Sequence, residues 1–112
     1  MEELLEKLLK ISGVEGALVV GKDGLVISSV GNFNPDPDSF GASVAEVLNH
    51  LDGHFQSRGP NQRVTLDQQL GVTHLTAINE VTYLVAQGSK GVNLGRLRLD
   101  SDNVAAALGE QL

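Results

Sequence analysis

The chain reads as a small α+β domain in the order α-β-β-α-β-β-β-α, with a five-stranded antiparallel sheet and helices on both of its faces. Three observations predict it. Short β-branched runs separated by turn residues occur from Ala17 to Val30 and again from Arg63 to Ala86. Between those groups, and at the N-terminus, apolar residues recur instead at spacings of three and four. Ala17-Leu18-Val19-Val20, finally, is apolar at every position, the pattern of a strand covered on both faces.

Residues 2–11 carry one apolar stripe of Leu4, Leu5, Leu8, Leu9 and Ile11. Glu3 with Lys7 and Glu6 with Lys10 are i,i+4 pairs in the favourable order, so a helix is predicted, stopped by Ser12-Gly13. Two apolar runs then flank Lys22-Asp23-Gly24, which predicts a hairpin because Asp and Gly accept the positive φ of a tight turn. After a loop over residues 31–37, Asp36-Pro37 is an N-cap and first-position pair for a long helix ending near Arg58, before Gly59-Pro60. Phe40, Val44, Val47, Leu48, Leu51 and Phe55 share its predicted core face.

The other side of that helix carries Ala42, Ala45, Asn49 and Gly53, where a solitary surface helix would carry Lys and Glu. One reading is simple tolerance of small residues at the surface. The other, adopted here, is a second packed surface, and in so short a chain that implies a partner. Arg63 to Gln68 alternates, with Val64 and Leu66 one way and Arg63, Thr65 and Asp67 the other. Its polar face suits an edge strand, which must be solvated, charged or paired with another chain. Val72–Ile78 and Val81–Ala86 complete an antiparallel meander through short links. The C-terminal stretch is ambiguous by pattern. Leu97 and Leu99 alternate with Arg96 and Arg98 like a strand, but Leu94, Leu97, Val104, Ala105, Leu108 and Leu112 share a helical face, which favours a helix from about Val92.

Composition narrows the function. At 112 residues the chain is one domain, and 41% hydrophobic with 20% charged residues is ordinary globular composition. A net charge of −6 leaves no basic stripe for nucleic acid and disfavours anionic membranes. No apolar run approaches membrane-spanning length, Met1-Glu2-Glu3 is acidic where a secretory signal is basic, and cysteine is absent. A soluble, cytoplasmic protein that inserts in no membrane is expected.

Sites for chemistry are not evident. His50 and His54 are four apart, but Leu51 and Asp52 follow the first, where a zinc protease needs Glu. Only His74 and carboxylates could complete a zinc shell. Gly88-Ser89-Lys90-Gly91 fails the P-loop pattern and reads as the loop leaving the last strand. Asp36 with Asp38, and Asp100 with Asp102, fit helix starts better than calcium loops. Ser28 and Ser29 have no placed activator, and nothing singles out Arg58, Arg63, Arg96 or Arg98 as an arginine finger. No enzyme and no cofactor are expected.

Three stretches, taken in order and covering nearly the whole chain, carry a family likeness. They are LLEKLLKISGVEGALVVGKDGLVISS from Leu4 to Ser29, the capped helix from residue 37 with the meander after it, and VTYLVAQG from Val81 followed by NLGRLRLD from Asn93. By these the chain resembles the Roadblock family, which includes the dynein light chains of that name and bacterial gliding-motility regulators. The resemblance implies a profilin-like fold over residues 1–112, a final helix after Asn93, and a homodimer built on the second helix and the strand after it. Placed on this chain, the contact would involve Ala42, Ala45, Asn49, Gly53, Arg63, Thr65 and Asp67. It also implies a Ras-like small GTPase as client, regulated or scaffolded. The alternative is a structural light-chain or adaptor subunit with no effect on GTP turnover.

Overall fold

A computed structural model describes residues 1–112. The elements are α1 (Glu2–Leu9), β1 (Val14–Gly21), β2 (Val26–Gly31), α2 (Pro37–His54), β3 (Arg63–Gln68), β4 (Gly71–Ala77), β5 (Thr82–Ser89) and α3 (Leu94–Gly109). All strand pairs are antiparallel, and the sheet runs β2-β1-β5-β4-β3. The order of elements and the two-sided sheet are those expected from the sequence. β1 explains why. Ala17 and Val19 join Leu5, Leu8, Leu97 and Leu108 under α1 and α3. Leu18 and Val20 point the other way, into a cluster with Val44, Leu48, Tyr83 and Val85 under α2. A strand buried on both faces has no use for alternation.

The hairpin turns at Asp23-Gly24 as its sequence requires. Gly24 has φ +91°, and Asp23 Oδ1 accepts the Leu25 N–H. Asp36 caps α2 by accepting the Ser39 N–H at 2.8 Å, with Pro37 in the first turn. Replacing Asp36 with Ala should cost about 1 kcal/mol, seen as a lower urea midpoint with an unchanged slope.

Three expectations are corrected. α2 stops at His54, four residues early, and a short 3-10 turn over Gln56–Arg58 follows; the Gln56 amide donates to the Gly53 carbonyl and helps close that end. Asp100 and Asp102 lie inside α3 and not at its start. They pair with Arg96 at 3.3 Å and Arg63 at 2.7 Å, while Asn93 supplies the cap. The third correction is the rotation of α2. Its buried residues are Gly41, Val44, Ala45 and Leu48, whereas Val47 is 39% and Phe55 60% exposed. The buried face is thus turned by about 60° from the expected one, at 100° per residue. The cause is Gly41, where a Cβ would lie 2.4 Å from Val26 Cγ2. α2 approaches the sheet through its small residues.

Candidate functional site

The two edges of the sheet differ. β2 slips register against β1 at Val19/Val20, leaving Ile27 outside the pairing, and ends in Gly31 at φ +79°. A bulge of this kind bends an edge and spoils it as a template. β3 has no such device. It pairs with β4 without interruption from Arg63 to Gln68, so its outer backbone groups form a regular, unpaired row.

Beside that edge, on the α2 face, is an apolar cleft. Register places Val64 opposite Leu75 and Leu66 opposite Thr73, so these four share the face. Phe40, Ser43, Val44 and Val47 of α2 stand across from Leu66, Gln68, Thr73 and Leu75, around a volume of about 160 Å³. Leu66 is 38% exposed, close to Val47 in accessibility. This cleft was not expected from the sequence, which assigned Val47 and Phe55 to the core.

The expected contact residues fall into two groups. On α2, Ala45 is buried at 4% exposure and has no surface to offer. Ala42 lies against Gly24, and Asn49 donates to the Lys22 carbonyl at 3.0 Å. The backbone that comes close to this side of α2 is therefore the chain's own β1–β2 turn. Gly53 faces open space. On β3, Arg63, Thr65 and Asp67 point toward the α3 face of the sheet. Arg63 reaches Asp102, while Thr65 Oγ1 lies 2.8 Å from His74 Nδ1 and accepts from Arg98 at 3.3 Å. The structure does not gather these seven residues into one patch.

One polar cluster sets where β3 begins. Asp52 of α2 receives the Lys22 ammonium at 2.6 Å and both the backbone N–H and the side-chain amide of Asn61, at 3.1 and 2.8 Å. The Tyr83 hydroxyl donates to the Asn61 carbonyl. Burial pushes the Asp52 carboxyl up, but Lys22 and Asn61 together hold it below the usual carboxylate range. Asp52 in turn raises Lys22. Burial raises Tyr83, and the Asp52 charge adds to that. The cluster ties α2, the β1–β2 turn and the segment before β3 to one another. His50 and His54 stack at 6.0 Å between ring centroids on the exposed flank of α2. No group of three or more His, Asp or Glu is placed to hold a metal ion.

The sequence model described as "Roadblock/LC7 domain" matches residues 1–88. The chain belongs to that family. The "Uncharacterized protein MJ0714" of Methanocaldococcus jannaschii is 29% identical over 107 residues, covering 94% of this chain and 90% of the relative. Among solved structures, "MglB with tetrameric arrangement" superposes with a TM-score of 0.88 at 22% identity, over 97% of this Roadblock chain and 85% of MglB. A profilin of Schizosaccharomyces pombe gives 0.67 at 14% identity, over 93% of this chain and 92% of the profilin. These superpositions establish the fold, which is profilin-like as expected. No helix in it is long and apolar enough to cross a membrane.

Proposed function

We propose that this Roadblock domain is a non-catalytic, homodimeric binding module, and that it regulates or positions a Ras-like small GTPase in the cytoplasm. The observation that carries the self-association is the β3 edge. It is a regular unpaired strand with apolar Val47, Leu66 and Phe40 beside it, while the opposite edge is blunted. Pairing two copies along β3 would satisfy the open backbone row and cover the cleft in one step. Val47, Leu66 and Phe40 then take the place in the contact that was expected of Ala45, with Arg63, Thr65 and Asp67 contributing through the β3 backbone. The solved tetrameric arrangement of MglB, a structural neighbour, supports self-association of this fold. The GTPase client rests on the Roadblock assignment.

Light scattering tests the first part. A mass near twice 11.8 kDa at tens of micromolar is expected, and a mass that stays at 11.8 kDa sinks it. For the client, phosphate release by a candidate GTPase is followed with and without the domain. Altered turnover supports regulation. Tight binding with unchanged turnover identifies a light-chain or adaptor role instead.

A further inference from the structure

His74 sits in the middle of β4, 1% exposed, between the β3 edge and α3. Its Nδ1 is bonded to Thr65 Oγ1, the oxygen that also accepts from Arg98 of α3. Its Nε2 is buried without any partner, and two further buried hydroxyls, those of Thr76 and Ser101, are unpartnered as well. Ser101 belongs to the buried face of α3, and Thr76 lies two residues along β4 on the same side of the sheet. Charged groups reach His74 from two elements. β3 brings Arg63, and α3 brings Arg98 and Asp102, with Arg63 committed to Asp102 at 2.7 Å. Ala86, its neighbour on β5, brings none.

We propose that His74 is an acid-operated joint, whose protonation frees β3 from α3 and thereby weakens self-association along the β3 edge. This rests on reading β3 as the self-association edge. An imidazolium has two N–H donors and no acceptor. One would be aimed at Thr65 Oγ1, so two cations, His74 and Arg98, would converge on one hydroxyl oxygen. The other would be a buried charged donor at a nitrogen that makes no hydrogen bond in the fold, the costliest form of an unmade hydrogen bond. Burial and the Arg98 charge both hold His74 below its ordinary value, Asp102 opposing them. Because the unfolded or released state takes the proton first, the stability of this joint is complete above the free histidine value. It is lost as pH falls from there through the lower folded value.

The test uses a His50→Gln/His54→Gln background, which leaves His74 as the only imidazole. Self-association is measured by sedimentation at pH 7.5 and 5.5, with and without His74→Asn. Asparagine keeps an acceptor toward Thr65 and cannot take a proton. The dissociation constant should rise by more than about fivefold with acid in the His74 protein, because each of the two copies takes up a proton on release. It should stay within about twofold in the asparagine variant. A flat response in the first, or the same response in both, overturns the proposal. If both are monomeric at every pH, the self-association reading fails. The joint itself is then decided by α3 amide exchange, corrected for intrinsic rates, which must rise with acid only where His74 is present. Should His74→Asn not fold, the His74 ring is followed by NMR, and a midpoint at or above about 6.5 overturns the proposal.

Discussion

Val47→Glu is expected to separate the pair while leaving each protomer folded, and Ala45→Glu to unfold the protomer itself. The two residues are two positions apart on α2, and their exposures of 39% and 4% place them on opposite sides of the boundary between surface and core. A glutamate at Val47 sits in water in the monomer and is buried against apolar side chains only in the dimer. The twofold symmetry of such a pair repeats the defect. Stranding even one carboxylate costs about 3 kcal/mol or more, which is over a hundredfold in dissociation constant. At Ala45 the same side chain must enter the space between α2 and the sheet. Overpacking and an unpaired buried charge there add to about 4 kcal/mol or more, a large share of the about 5–15 kcal/mol that holds a domain together. Light scattering reads the first effect and a thermal melt the second. Gly53→Glu, on the open far side, is the control. If it separates the protomers and Val47→Glu does not, the contact lies on the small-residue side of α2.

That contrast also shows what the sequence carries and what it hides. The elements were legible because their causes are local: the capped start at Asp36, the Asp23-Gly24 turn, the two-sided apolarity of β1. The rotation of α2 was not. Periodicity weighs Val47 and Phe55 like Leu48, and it places Ala45 on the side away from the core. What reverses this is a contact with Val26, across the hairpin, where only a glycine fits. β3 shows the same limit. Its alternation correctly marked an edge strand, but Arg63 and Thr65 find their partners 39 and 33 residues away on α3. No local pattern distinguishes a polar face awaiting another chain from one already bonded to its own. His74 was visible only as a spare metal ligand. Its place in a strand flanked by Thr73 and Thr76, all three buried, was the signal that it belongs to an internal polar joint.

Asp52→Ala is expected to have the largest effect of any change outside the apolar core. One carboxylate receives an ammonium and two N–H donors, so its loss unpairs three groups at once, two of them on the segment that leads into β3. Hydrogen bonds to a charged group are worth about 1.5–3 kcal/mol each, but the cluster keeps some solvent contact and water recovers part of that. About 2–3 kcal/mol of lost stability is the expected sum, measured by urea denaturation. Asp52→Asn should fall between, since its amide oxygen can still accept from Asn61 but offers Lys22 no charge. The wild-type contribution also has a pH signature. Asp52 is held below its ordinary value in the folded state, so its stabilisation is full above the unfolded carboxyl value and is lost as pH falls through the folded one. The alanine variant should lack that acid-side slope. A variant within about 0.5 kcal/mol of wild type, with the slope intact, would show that Asn61 is positioned by Tyr83 alone. Because Asn61 is two residues before Arg63, a loosened Asn61 should also blur the start of the β3 edge. Self-association then weakens in Asp52→Ala even at protein concentrations and temperatures where the fold is fully populated, which separates a disturbed edge from a merely less stable domain.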